Sequence, residues 1–415
     1  MNMKLKDIED AITEDYAAFS CRAKLQPIQG EGGRVRPPTY AAKENGKEHS
    51  YAYYQRRIKG ESITCVDLDS IPSQANRIED CFQQLIDEGL LKIPHLQMII
   101  PVPGRTAIKV TSLNAPHRTS DSHFWSGKVE GTTFFKSEVG QDLVKASPRD
   151  ASALLKYGPL SIVLGCWNSG PKGSGSHQSK FERCLTSEII AVNPEISKQT
   201  AIRLDPFVEN DPTKPLYKPK NPDDGLYVLD PSKAEVEKGK PVLVGSDSSK
   251  KEKGRPSNVV LGSIISTPSV HVNGITADYY EHHAVLSLTA LKRSQFPSLS
   301  KEEQTLAWTY LAALGVCGAV LMQHAGYHLR TGTDLLPVEP LTWVLKSKSP
   351  KDPEKVFEVS KEDALGILKE VSDLMVKSNI PWRPEPLDVS PTDDHTELVS
   401  ATFGASEPET TLAAE

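Results

Sequence analysis

SITCVDLDSIPSQANRIEDCFQQLIDEG, residues 62–89, reads as strand, turn and helix in one run. Ile63 to Leu68 is a short apolar segment of the kind that forms a buried strand. Ser70 to Ser73 turns the chain. Ile78, Phe82 and Leu85 then recur at helical spacing, and Gly89 is placed to end the helix. Ser73 is the expected N-cap, its hydroxyl taking up a free backbone N–H. Gln74, Asn76 and Arg77 fall on the first helical turn. The unpaired N–H groups and the helix dipole there favour an anion, and the amide and guanidinium side chains add donors that suit phosphate. The plainer alternative is capping, with Arg77 paired to a nearby carboxylate.

Working outward, residues 4–19 read as a helix with Leu5, Ile8 and Ile12 on one face. CRAKLQPIQGEGGRVRPPTY, residues 21–40, is rich in Gly, Pro and basic residues and reads as a loop or irregular extended segment carrying Lys24, Arg34 and Arg36. Downstream, His95–Val102 and Ser161–Trp167 are strand candidates. NSGPKGSGSHQSK, residues 168–180, is a Gly/Ser/Lys loop, and Cys184–Val192 reads as a return strand. Residues 205–257 are polar, Pro-rich and Lys-rich, which marks an insertion, partly disordered. Ser300 and Glu303 make a capping box for a long apolar helix to about residue 325. Ser360 caps a last helix over 361–377. No Lys or Arg follows Arg383, so 385–415 is expected to be an acidic flexible tail on a single domain spanning 1–384.

A net charge of −6 argues against coating duplex DNA by bulk charge, but binding follows the distribution of charge rather than its total. The six cysteines form no CxxC pair, so reduced thiols in a cytoplasmic protein are expected. The N-terminus has no apolar signal core, and the apolar run Leu311–Met322 is too short to span a bilayer. No membrane association is expected.

No P-loop, GxSxG, HExxH or correctly placed GxGxxG occurs. His117 and Asp121 could make an acid–base pair, but the favoured reading is that His117 and Arg118 hydrogen-bond structure or phosphate. The loop residues Lys172, His177, Lys180 and Arg183 suit a nucleic-acid backbone. His282 and His283 are adjacent, so their side chains diverge and chelate poorly. Asp67 and Asp69 alternate along the expected strand and so should share a face, where they could hold magnesium or orient Arg77.

The order of segments says more. LQPIQGEGGRVRPPTY, LDSIPSQANRIE, LNAPHRTSD, GPLSIVLGCWNS, KFERCLTSEI, RPSNVVLGSI and LSLTALKR closely resemble, in that order, the Cascade backbone subunit of the type I-G (formerly I-U) branch of the CRISPR-associated RAMP superfamily. The resemblance runs from about residue 20 to about residue 345. Ile71 and Pro72 depart from it, standing where relatives are polar, and so does LRTGTDL at residues 329–335. The resemblance implies an α+β, modified RRM-like (ferredoxin-like) core with long insertions, about 168–180 and 205–257, that form finger and thumb elements.

It further implies a non-catalytic subunit that stacks head to tail with further copies of itself along CRISPR RNA and presents the guide for pairing with target DNA. The other implied partners are a cap/processing subunit, a large subunit and a recruited helicase-nuclease. No cofactor or metal is expected. Because guides vary in sequence, such a subunit should hold phosphates and 2′-hydroxyls and leave base edges free. Lys24, Arg34, Gln74, Asn76, Arg77, His117, Arg118, Lys180 and Arg183 are the residues expected to do so. The rival reading is a metal-dependent ribonuclease of the same superfamily, with Asp67, Asp69 or Asp121 as candidates.

Overall fold

The alternation and helical spacing just described resolve into a sheet with helices packed on one face in the computed structural model. It describes every residue except 41, 45–46, 50, 59, 169–178, 202–206, 209–212, 246–252, 260, 262–268 and 405–415. The main sheet has nine strands. These are β1 (Ala18–Pro27), β2 (Tyr53–Ile58), β3 (Glu61–Asp69), β4 (Leu185–Val192), β5 (Tyr279–Ser287), β6 (Tyr327–Arg330), β7 (Thr333–Pro337), β8 (Thr342–Lys346) and β9 (Lys355–Glu358). Their order in space is β6-β7-β1-β5-β4-β3-β2, with β8 pairing the N-terminal half of β1 and β9 pairing β8. Every pairing of these strands is antiparallel.

The longer helices are α1 (Leu5–Thr13), α2 (Ile71–Asp87), α3 (Lys301–Ala325) and α4 (Lys361–Lys377), followed by α5 (Asp393–Gly404). Ala75, Ile78 and Phe82 of α2 pack with Phe19, Cys21, Ala284 and Leu286 of the sheet and with the apolar side chains of α3 in one core. The path β1–α2–β4–β5–α3–β7, with its strands side by side as β7-β1-β5-β4, is the βαββαβ arrangement of a ferredoxin-like, RRM-like core. The hairpin β2–β3 extends it beyond β4. The α+β class is as expected.

The helix that follows the Ser300–Glu303 capping box forms as expected and is 25 residues long. By length and composition it could cross a membrane, but 83% of its apolar window is buried inside the protein. A helix packed on every side is apolar on every side, which explains the run that includes Leu311–Met322. The six cysteines are all free.

Several expectations need correction. The first helix stops at Thr13; Asp15 takes a left-handed conformation (φ 59°) and β1 begins at Ala18. Residues 18–27, expected to be partly irregular, form a ten-residue strand. Cys21, Ala23 and Leu25 face the core while Arg22 and Lys24 are exposed, a period of two that the charged, loop-like composition disguised. α2 starts at Ile71 with Ser70 as N-cap, because Pro72 in the first turn has no N–H to leave unpaired. The Ser73 hydroxyl instead donates to Asp69 at 2.7 Å.

Leu160–Val163 is a helical turn and only Cys166–Asn168 is a strand. An apolar run that short does not separate the two by itself. The expected acidic tail contains a strand, Leu387–Asp388, paired in parallel with Leu96–Ile100, and then α5.

The chain divides into two compact units, one of Met1–Glu195 with Ile275–Glu415 and the other Ile196–Gly274. The second therefore contains the expected 205–257 insertion. Within it, Tyr217 bridges Val228 and Leu243, and Leu216, Val228, Ala234 and Val244 are buried. Of the 168–180 insertion, 169–178 lie outside the described residues.

Candidate nucleic-acid interface

A cleft of about 520 Å³ opens where the 116–118 turn meets a short hairpin. The hairpin pairs Cys166–Asn168 with Ser179–Phe181, setting Trp167 opposite Lys180. Pro116, His117 and Arg118 line one side, and Gly165 to Trp167 and Lys180 to Arg183 line the rest. Four of the residues expected from sequence, His117, Arg118, Lys180 and Arg183, therefore share one concavity.

Their roles in it differ. Arg118 is 8% exposed and grips the buried Glu79 of α2 with two bonds, Nε to Oε1 at 2.6 Å and Nη2 to Oε2 at 2.9 Å. Its remaining terminal nitrogen donates to the Gly165 carbonyl at 3.0 Å. Arg118 is thus the floor of the cleft. Its backbone is left-handed (φ 54°), a strained conformation held by those bonds. Burial pushes the Glu79 carboxyl up to about 7, against the opposing pull of Arg118.

Arg183 donates from Nε to the Leu164 carbonyl at 3.0 Å and is otherwise exposed. Gly165 (φ 80°) permits this approach, since a Cβ there would sit 2.8 Å from Arg183 Cγ. Burial and the neighbouring Arg118 lower the Arg183 pKa. Lys180 and His117 are exposed, and the Trp167 ring is 64% exposed.

Of the acidic groups here, Glu79 is held by Arg118, and Glu182 pairs with Arg293 at 2.9 Å. With the exposed Glu182 counted against Arg293, the charge left over in the cleft among the described residues is that of Lys180 and Arg183, beside an open indole face. Aromatic faces stack bases of any identity, and Lys and Arg bind phosphates. Burial pushes the Cys166 thiol up to about 12, so it supplies no nucleophile at neutral pH.

The other expected residues lie elsewhere. Gln74 is fully buried. Its amide donates to Asp69 at 2.5 Å, and its carbonyl accepts from Ser187 at 2.8 Å. Ser187 must then accept from His282 Nε2 at 2.8 Å, which leaves His282 Nδ1 to accept from the Tyr327 hydroxyl at 3.1 Å. The neutral tautomer of this buried imidazole is fixed by its partners. Burial and the adjacent His283 pull its pKa down to about 3.

Arg77 donates from Nε to Asp69 at 2.8 Å and to the carbonyls of His328 and Leu329. Asn76 is exposed on the next turn face. Arg34 is exposed on the loop before Val35, which bridges Ile275. Lys24 stands on the sheet face away from the helices, its Nζ 5.6 Å from the Tyr279 ring centroid.

Asp67 and Asp69 do not share surroundings as expected. The β3–β4 register shifts between Ile189 and Ile190. Asp69 turns to α2, while Asp67 lies against Glu188 and Tyr54, burial and Glu188 raising its pKa. Asp121 is taken up by the backbone N–H groups of His117 and His123. His282 faces the core, whereas His283 turns to Glu281 at 2.7 Å on the opposite face, as the divergence of adjacent residues requires. Sequence reasoning missed Trp167. Its signal was an aromatic residue in a strand that enters a Gly/Ser/Lys loop.

Residues 19–195, about two-fifths of the chain, match the family model described as CRISPR-associated protein GSU0053 (Cas_GSU0053). The matched segment includes α2 and every residue lining the cleft. It indicates a CRISPR-associated protein. No curated protein matches the chain.

Proposed function

Proceeding from a CRISPR-associated chain, we propose that it is a non-catalytic backbone subunit of a type I-G interference (Cascade) complex that holds CRISPR RNA by its sugar-phosphate backbone. One observation carries this reading: an exposed indole, Trp167, stands beside Lys180 and Arg183 in a cleft whose carboxylates are already paired. The RRM-like core is a further support, since such folds commonly bind single strands.

An indole face and two cations bind a nucleotide without reading its base edge, which suits a guide of any sequence. Each copy adds a few modest interactions, and copies stacked head to tail along one strand gain avidity from their number. Target DNA, the cap/processing and large subunits and a helicase-nuclease complete the proposed cytoplasmic assembly.

The test is anisotropy of labelled single-stranded RNAs of unrelated sequence titrated with purified protein. All should bind with similar affinity, weakening steeply with salt. Trp167→Ala should weaken every one about 5- to 100-fold, the range for loss of one stacked base. Binding that depends on sequence, or that ignores both salt and Trp167, overturns the proposal.

A further inference from the structure

We infer that His123 and His395 form a latch that holds α5 against the body of the protein and opens in acid, when both rings are protonated. The latch stands apart from the RNA-binding reading and does not depend on it. The segment that leads into α5 is firmly fastened. Leu387 and Asp388 pair with Leu96 and Gln97, and Ser390 exchanges backbone bonds with Lys128 in both directions at 2.8 Å. Gly127 makes room for them, since a Cβ there would lie 2.5 Å from Val389 Cγ1 and 2.8 Å from the Ser390 carbonyl oxygen.

Past Ser390 the hold is thinner. His395, Thr396, Val399 and Ser400 form a face of α5 that is only half-buried. Val399 packs against the main core, but the Ser400 hydroxyl is buried with no hydrogen-bond partner, which costs docking energy. The side-chain bond that ties α5 to the body joins His395 Nε2 to His123 Nδ1 at 3.0 Å, across 272 positions of sequence. A helix of 12 residues is marginal in water by itself, so α5 relies on what holds it to the body.

Two neutral imidazoles suit this geometry with one hydrogen between them, one facing nitrogen donating and the other accepting. A first proton, taken up at an outer nitrogen, leaves that arrangement intact. A second puts a hydrogen on both facing nitrogens and a positive charge on both rings, whose centroids are 5.0 Å apart. Repulsion then replaces the bond. The carboxylate facing the pair from the body is Asp121, and its two oxygens already accept the backbone N–H groups of His117 and His123. On α5 itself Asp393, Asp394 and Glu397 are exposed, as are His117 beyond Asp121 and Lys128 at the adjoining bridge. Burial and His123 lower the His395 pKa from 6.5, against the opposing pull of Asp121. A depressed imidazole contributes stability that is full above its free value and lost as pH falls toward the folded one, so the latch holds at neutral pH and loosens below about 6.5. Asp121 also sets the latch one capped turn away from His117, which lines the cleft.

The test is hydrogen exchange of the full chain from pH 7.5 to pH 4.5, with each protection factor corrected for the intrinsic rate at that pH. The amides of α3 serve as the reference, because His282 weakens the whole fold in acid. Protection of α5 should hold above pH 6.5 and by pH 4.5 fall at least about 10-fold further than that of α3. Imidazole nitrogen shifts of the same wild-type protein follow the protonation of His123 and His395. His395→Gln keeps a side-chain donor but cannot be charged, so its α5 should show no added loss in acid.

Wild-type α5 and α3 losing protection in step would overturn the latch. So would a loss in His395→Gln as steep as in wild type. Where His395→Gln leaves α5 unprotected at every pH, the wild-type shifts decide. Loss of α5 protection that runs with the second protonation of the pair sustains the latch, and loss at any other pH overturns it.

Discussion

Arg118→Ala tests the cleft floor most severely. The substitution removes both bonds to Glu79 and the donor to the Gly165 carbonyl. Breaking one partner out of a buried pair costs roughly 3–5 kcal/mol. The orphaned carbonyl adds about 1 kcal/mol. No relief offsets this, because alanine keeps the Cβ that makes φ 54° unfavourable. A loss of about 4–6 kcal/mol is therefore expected at pH 8.

The loss should shrink in acid. Glu79 already stands at about 7, above its ordinary value of 4.5, because burial disfavours its charge. A carboxyl raised in the folded state contributes stability that is full below the unfolded value and lost as pH rises through the folded one. Without Arg118 that window moves higher, so only wild type gains from ionising Glu79 above about pH 7, and the gap at pH 5 should be smaller than at pH 8 by about 1.4 kcal/mol. Urea unfolding of variant and wild type at pH 5 and pH 8 measures the gap. A gap under about 1 kcal/mol at pH 8, or one equal at both pH values, refutes the reasoning. The double variant Arg118→Met/Glu79→Met, which leaves no buried charge, should recover most of the loss.

Gly165→Ala should cost about 1–2 kcal/mol by thermal unfolding, because φ 80° is left-handed and the new methyl meets Arg183 Cγ at 2.8 Å. Gly318→Leu in α3 should cost more, about 3 kcal/mol or above, since a Cβ there already lies 2.7 Å from the Phe82 ring. Acidification should destabilise the fold through His282. An imidazole depressed from 6.5 to about 3 contributes stability that is full above the unfolded value and lost as pH falls toward the folded one. Urea midpoints should therefore drop between pH 7 and pH 4, by about 3 kcal/mol from this group. Glu281 adds to the loss below pH 4.5. Burial alone would raise it, but hydrogen bonds from His283 and Arg22 hold it at about 2.

How much of this was legible depended on whether one segment carried its own signal. The strand–turn–helix of 62–89 and the capping boxes at Ser300 and Ser360 were readable because the cause is local. β1 was not, because its alternation runs through Cys, Ala and Pro against Arg and Lys, and strand pairing with β5 and β8 supplies what composition withholds. The cleft was readable in part. Its cations sit in loops that looked suited to phosphate, and His117, Arg118, Lys180 and Arg183 do converge. That Gln74 is buried, and that Arg77 and Arg118 each hold a carboxylate, depends on partners 5, 8 and 39 residues away in sequence, respectively. Arg330 reaches Arg36 across 294 residues, a distance at which spacing says nothing.

The same long-range pairing explains how a chain of net charge −6 can hold a polyanion. What a nearby strand feels is the charge left accessible after internal pairing, not the formal total. Glu79, Asp69 and Glu281 are all buried, each against at least one arginine, so these acids contribute little field at the surface. Asp15 is held at about 2 by Lys292 and Lys348, well away in sequence from the cleft. Near Trp167 the exposed Glu182 is matched by Arg293, which leaves Lys180 and Arg183 in excess, and near Asp69 two arginines meet one carboxylate. It follows that removing a remote surface acid should barely move RNA affinity, whereas freeing a paired one should reduce it. Arg293→Ala, which releases Glu182 beside Lys180 and Arg183, places a carboxylate at the cleft without altering any cleft side chain. Its binding should weaken several-fold at low salt and converge on wild type at high salt, where the released charge is screened. Equal affinity at low salt would mean that Glu182 was never neutralised by its partner, and the charge argument for the cleft would fail.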